Sequence, residues 1–232
     1  MSGTGVTAEF VAYLEGLPRD EYLQSHWVRY CETWLRLHDL ATGARDVLEL
    51  GSLSPVGGFL RDRRGANFAT VETDLRFAPY PVRDGGADMV LCLEVLEHLN
   101  DAHVPGSSIG EIAMFTHSGA RAMFRECRRA LRPGGRLVVT TPNLESIDVL
   151  ANVLRRRHPF RYPPHVREYT QGEVVALARE AGFATERNST FFAWEAHPDT
   201  DRQAIITGLD AMGFDMADRG DDAFFVFRAP EK

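Results

Sequence analysis

Glu94, Glu97 and His98 stand at positions i, i+3 and i+4 in the segment LEVLEHL. On an α-helix that spacing gathers the three side chains on one face. Two carboxylates and an imidazole suit a hard or borderline divalent cation such as Mg2+ or Mn2+. A fourth ligand can come from His165, which lies in a proline- and aromatic-rich stretch just before Glu168-Tyr169-Thr170. Without a metal, His98 or His165 is the candidate general base, because an imidazole exchanges protons near neutral pH. A plainer reading stays open: the glutamates cap a helix N-terminus, where the helix dipole favours acids, and the histidine packs locally. His103 and His117 rank below these two, with surface or capping roles expected, and His26, His38, His158 and His197 read as structural or exposed.

The elements that must deliver these residues come next. Ala87 to Leu93 is apolar enough for a fully buried parallel strand, feeding a helix expected to begin near Glu94. Upstream, Arg45–Leu60 reads RDVLELGSLSPVGGFL, a short buried strand entering Gly51, then a loop and a helix near Gly58. A glycine at a strand's carboxyl end lets backbone approach a ligand, and in open α/β sheets ligands bind in that crevice. A further strand is expected at Asn67–Thr73, helices at Gly119–Leu131, Glu145–Arg156, Gln171–Ala181 and Asp201–Met212, and strands at Arg136–Thr141, Ala184–Trp194 and Ala223–Ala229. This alternation predicts an α/β chain, doubly wound, with a mostly parallel sheet and helices on both faces. Residues 1–42 form a helical, aromatic-rich cap, with Trp27, Tyr30 and Trp34 tucked under a core or lidding a pocket, and 43–232 form the main domain. Ala102 to His117 reads as a long loop, the kind that is usually functional.

Composition narrows the classes. Hydrophobic residues are 44%, charged residues 25%, and the net charge is -7, which disfavours broad nucleic-acid or anionic-membrane binding. No apolar run is long enough to span a bilayer, and the first residues lack a basic-then-apolar signal pattern, so a cytoplasmic setting is expected. Three cysteines without metal spacing agree with a reducing compartment. Lys232 is the only lysine, which removes any chemistry that needs a catalytic one. Arg155–Arg167 interleaves five arginines with aromatics, and two readings are open: a phosphate-recognising strip, or a solvated loop whose aromatics line a pocket.

Four segments in order, VLELGS (Val47–Ser52), DMVLCLEVLEHL (Asp88–Leu99), ECRRALRPGGRLVVTTPN (Glu126–Asn143) and HVREYTQGEVVALAREAGF (His165–Phe183), resemble the class I S-adenosylmethionine-dependent methyltransferases. The resemblance implies a Rossmann-like sheet of about seven strands, the last antiparallel, with the methyl donor lying across the strand ends. It implies donor contacts at Glu49, Gly51, Ser52 and Leu93, and an acidic partner for the ribose or adenine at Glu72 or Asp74. Two departures stand out. Leu53-Ser54-Pro55-Val56 separates Gly51 from Gly57, and one strand occupies a stretch where the family usually has two. The ExxEH pattern with a distant histidine is similar to the metal sites of ubiquinone-pathway O-methyltransferases and of enzymes that methylate the 2′-hydroxyl at small-RNA 3′ ends.

The expected function is therefore methyl transfer from S-adenosylmethionine to a hydroxyl of a small molecule, of sugar or natural-product type, with assistance from Mg2+ or Mn2+ as an open option. N-methylation, RNA 3′-terminal 2′-O-methylation, and a binding protein that has lost donor affinity remain as alternatives. The partners expected are the acceptor and, as an open option, a second copy in a homodimer, with no membrane and no nucleic acid.

Overall fold

The structure is a computed structural model that describes residues 3–101, 117–160 and 162–231. Strands β1 (Asp46–Leu50), β2 (Asn67–Val71), β3 (Ala87–Leu93), β4 (Leu131–Pro142), β5 (Ala184–Phe191) and β6 (Asp222–Arg228) form one sheet in the order β2-β1-β3-β4-β6-β5. Pairings β1–β2, β1–β3 and β3–β4 are parallel, whereas β6 runs antiparallel to both β4 and β5. The last strand is thus antiparallel, as expected, but the sheet has six strands among the described residues rather than about seven. The missing one would lie between Val71 and Ala87, where Pro79 and Pro81 lack the N–H groups that a ladder needs and the chain instead turns at Asp74. β2 is left as the edge.

Side-chain alternation assigns the two cores. Val90, Cys92, Leu137, Val139, Phe225 and Phe227 face one layer, packed with Phe124 and Cys127 of α5 (Ser118–Ala130) and Val174 and Leu177 of α7 (Gln171–Glu180). Met89, Leu91, Val138, Phe224 and Val226 face the other, against α1 (Gly3–Glu15), α3 (Trp27–Ala41) and α4 (Pro55–Arg64). There Phe10, Trp34 and Phe59 form an aromatic trio, with ring centroids 4.8 to 5.4 Å apart. The N-terminal helices, including short α2 (Glu21–Ser25), therefore share a core with the sheet. The remaining helices are α6 (Ile147–Leu154) and α8 (Arg202–Ala211).

One expected element does not form. Glu94 does not begin an α-helix: its N–H still bonds Thr140 O at 3.1 Å and its φ is +58°. That left-handed turn ends the strand run, and only a 3-10 turn at Leu96–His98 follows. The helical face predicted for Glu94, Glu97 and His98 is therefore absent. The loop expected at Ala102–His117, with His103, lies outside the described residues except for His117, which stands at the N-cap position of α5 without a side-chain cap bond.

Candidate active site

Residues after the parallel strands meet at one edge of the sheet: Glu72 after β2, Gly51 after β1, Glu94 after β3 and Asn143 after β4. Gly51 turns the chain with φ +81°, a conformation that suits glycine, while its N–H bonds Val71 O at 3.1 Å. The following loop is organised from below. Glu49 is buried and its carboxylate accepts the Ser54 N–H at 3.0 Å, while Ser54 caps α4 and Pro55 opens it. A Cβ on Gly57 would sit 2.2 Å from Glu49 Oε2, so glycine is what lets helix and carboxylate approach. Burial pushes the Glu49 carboxyl up to about 7, against the Ser54 hydrogen bonds. Glu49 thus supports the loop, whereas Ser52 and Leu93 line a cavity of about 440 Å3 with Arg29, Tyr30, Glu94 and Thr140.

Glu72 and Asp74 are exposed and do not line that cavity. Glu72 accepts the Thr70 hydroxyl at 3.2 Å. Asp74 is held by Arg76, with Nη2 to Oδ2 at 2.6 Å, which draws its carboxyl down to about 2.

The expected metal quartet is reduced to a trio. Ligand atoms of Glu97, His98 and His165 all lie within 4.8 Å of one another, and the two imidazoles meet edge to face at 4.9 Å. Glu94 is not among them. Glu97 is 1% exposed; its Oε2 accepts the Thr141 hydroxyl at 3.0 Å, and its Oε1 is buried with no hydrogen-bond partner. Burial, with the nearby Glu94 charge, raises the Glu97 carboxyl well above the ordinary range. His98 is half exposed and held below the usual imidazole value, first by partial burial and then by His165. His165 Nδ1 meets Glu168 Oε1 at 2.9 Å. That bond leaves Nε2 as the free ring nitrogen, the arrangement by which a carboxylate orients a metal-binding histidine. The backbone carbonyl of Glu97 accepts the N–H groups of Val166 and Arg167, which ties the two halves of the trio together.

Glu94 turns instead toward Arg29, with Nη1 to Oε2 at 3.3 Å and both side chains nearly buried. Arg29 went unnoticed in the sequence because it sits inside an aromatic helical run. Glu168 and Asp222 were missed as well: a buried acid inside REY or DDAFF has no spacing signal. Asp222 is fully buried and neither oxygen has a hydrogen-bond partner; burial, then the Glu94 charge, raise its carboxyl well above normal.

A second cavity, about 330 Å3, lies beyond β4 and is lined by Asn143, Ser146, Asp148, Glu168, His197 and Asp221 among others. Arg202 bridges Asp148 and Asp221 there, at 2.9 Å to an oxygen of each. Three arginines of the arginine-rich strip are held by residues outside it: Arg157 donates to Asp199 at 3.0 Å, Arg155 donates to the Asp199 carbonyl at 2.9 Å, and Arg167 bonds Glu173.

A family model described as a methyltransferase domain matches residues 22–188. The chain is 31% identical over 182 residues to a Mycolicibacterium smegmatis protein named "Probable S-adenosylmethionine-dependent methyltransferase", covering 70% of this chain and 61% of that one. A relative in Mycobacterium tuberculosis, similarly named, is 28% identical over 180 residues, covering 69% of this chain and 57% of the relative. The chain thus spans about three fifths of the length of these curated relatives. Among solved structures, an S-adenosylmethionine-dependent methyltransferase from Archaeoglobus fulgidus superposes with TM-score 0.56 at 15% identity, over 90% of this chain and all of that one. An O-methyltransferase family protein from Burkholderia thailandensis gives TM-score 0.52 at 12% identity, over 87% of this chain and 57% of that one. A Thermotoga maritima protein described as a "possible histamine N-methyltransferase" gives 0.53 at 16% identity, over 97% and 98%. At such identities these neighbours speak for the fold alone. With the matched domain covering most of its length, the chain belongs to the class I S-adenosylmethionine-dependent methyltransferases.

Proposed function

We propose that the chain moves the methyl group of S-adenosylmethionine to a hydroxyl of a small, polyhydroxylated molecule, with a divalent ion such as Mg2+ or Mn2+ held by Glu97, His98 and His165. The observation that carries this reading is the trio itself. Three potential ligand atoms converge within 4.8 Å, one of them a buried carboxylate oxygen without a partner. Thr141 fixes the other oxygen of Glu97, and Glu168 fixes the His165 ring. A bound ion would supply Lewis acidity that lowers the pKa of an adjacent hydroxyl.

The chain's own residues do the rest by placement. Ser52 and Leu93 receive the donor in the larger cavity, Gly51 lets its backbone come close, and Glu49 keeps the loop in position. Glu72 and Asp74 take the ribose and adenine end, Asp74 by leaving Arg76. The acceptor oxygen attacks the methyl carbon in line; the O–C bond forms as the S–C bond breaks, and sulfur keeps the electron pair as a neutral thioether. The hydroxyl proton leaves to solvent, which reaches the trio at half-exposed His98. The acceptor lies toward the second cavity, whose acids and amides suit the hydroxyls of a polyol. The engagement of Arg157 by Asp199 and of Arg167 by Glu173 speaks against an RNA backbone as acceptor. Free cysteines, two of them in the core, accord with a reducing, cytoplasmic setting.

Labelled donor incubated with matched vicinal-diol and single-hydroxyl acceptors tests the reading. Transfer that prefers the diol and stops on chelation is expected; transfer indifferent to chelator and to the second hydroxyl overturns it.

A further inference from the structure

We propose that His197, oriented by Asp199 where the second cavity meets solvent, reads the acceptor by accepting a hydrogen bond from a hydroxyl remote from the diol at the trio. This rests on the acceptor-binding role of that cavity, and it narrows the acceptor to molecules that keep a third hydroxyl free.

His197 lies in the connection between β5 and α8 and lines the cavity with Asn143, Asn152 and Glu168. Its side chain is 58% exposed, so it stands at the cavity's open side. Nδ1 lies 2.7 Å from Asp199 Oδ1. Asp199 is itself fixed: it accepts the Arg157 guanidinium at 3.0 Å through Oδ1 and again through Oδ2, and the Thr200 hydroxyl at 3.2 Å. The bonds from Arg157 hold its carboxyl below the usual carboxylate range. An ionised carboxylate only accepts, so the proton of the histidine bond sits on Nδ1. The Asp199 N–H and Arg157 Nη1, at 3.4 and 3.5 Å from Nδ1, are too distant to compete. Nε2 of the neutral ring is thereby an acceptor, and among the described residues no group donates to it. An acceptor nitrogen on a fixed ring asks its ligand for a donor, and a hydroxyl is one.

Other polar groups of the lining are committed to protein partners. The Asn143 side chain donates to Gly220 O at 2.8 Å and accepts the Glu145 N–H at 3.0 Å. Ser146 caps α6, and Asp148 and Asp221 share Arg202. Glu168 belongs at once to this cavity and, through its bond to His165, to the surroundings of the trio. A molecule that fills the cavity therefore borders the trio at one wall and meets His197 at another. Val149 and Pro159 add apolar surface suited to the C–H face of a saturated ring. A site that hydrogen-bonds a hydroxyl discriminates against the analogue lacking it, because its own polar group is left unpaired. A methyl ether at that position fails on the same ground, having no proton to give.

Methyl transfer from labelled donor to methyl pyranosides and cyclitols, to their monodeoxy and mono-O-methyl derivatives, and to 1,2-propanediol as the bare vicinal diol tests the assignment. At one position that is not itself methylated, deoxygenation and O-methylation are each expected to raise the wild-type KM by about five- to tenfold, with kcat little changed. His197→Phe should raise KM for the parent compound by the same factor and become indifferent to that position. Its handling of 1,2-propanediol and its affinity for S-adenosylhomocysteine should match wild type, which also checks folding. His197→Gln, whose amide oxygen can stand near the place of Nε2, should recover part of the discrimination, a rescue that a merely structural role does not give. Nitrogen-15 NMR of the free protein should find the neutral His197 ring protonated at Nδ1. The opposite tautomer overturns the inference, as does discrimination undiminished in His197→Phe or 1,2-propanediol used as well as every ring compound; each leaves the acceptor cavity standing. Transfer to none of these probes overturns the polyol acceptor and the inference together.

Discussion

His165 Nδ1 and Glu168 Oε1 lie 2.9 Å apart, with the histidine 8% exposed and the glutamate fully buried. A buried carboxylate on one ring nitrogen fixes the tautomer and the ring orientation of a histidine that stands with Glu97 and His98, ligand atoms within 4.8 Å of one another. Glu168→Gln is therefore expected to weaken Mn2+ binding by about tenfold to a hundredfold, read by metal titration, while S-adenosylhomocysteine affinity holds. Unchanged Mn2+ affinity would remove Glu168 from the site.

Glu97 supplies the buried oxygen that no protein group satisfies. Glu97→Gln keeps shape and the Thr141 contact but removes the charge that a cation needs. Methyl transfer in the variant should fall by about a hundredfold or more and lose its response to added Mg2+ or Mn2+. A fully active variant with chelator-insensitive turnover would contradict the metal reading.

The Glu49 carboxyl gives a pH signature. Its value is about 7 in the folded chain against an ordinary 4.5, so the folded state binds the proton more tightly. The associated stability is present in full below pH 4.5 and is lost as pH rises through about 7. Glu49→Gln retains an acceptor for the Ser54 N–H and stays neutral at every pH. The stability of the variant relative to wild type should therefore rise across that window, by up to about 3 kcal/mol. Denaturant unfolding at several pH values measures it, and a flat difference would show that Glu49 titrates normally.

Trp34 is 1% exposed and contacts both Phe10 and Phe59. Trp34→Ala should cost about 3–5 kcal/mol as a cavity in the shared core. Because cap and sheet share that core, circular dichroism should show one cooperative transition at a lower midpoint. A separate early transition with the sheet unfolding as before would make the cap an independent unit.

The sheet was legible because its signals are local. Val47–Leu50, Ala87–Leu93 and the strand through Leu137–Thr141 are predominantly apolar runs, broken only by Glu49, Asp88 and two threonines, and Ser54-Pro55 or Thr170 with Glu173 announce helix starts by capping chemistry. His165 was placed with the trio from order along the chain, and the structure brings it there. What failed depended on backbone or partners far away in sequence. The i, i+3, i+4 pattern assumed a helix that the left-handed Glu94 interrupts, and a periodicity rule carries no information on that turn. Glu49 read as a donor contact, and the structure shows it beneath the loop, because Gly57 brings a helix over it. Arg29 and Asp222 became visible only when α3 and β6 met the same strand edge.

The central claim is a donor site coupled to a divalent-ion site. Thermal unfolding of the purified chain with S-adenosylhomocysteine, alone and with Mg2+ or Mn2+, tests it most directly, since a ligand of the folded state raises Tm by mass action. The account requires a rise with the nucleoside and a further rise when the ion is added. Absence of any shift with the nucleoside would contradict the donor site, and a nucleoside shift that no ion augments would contradict the metal trio.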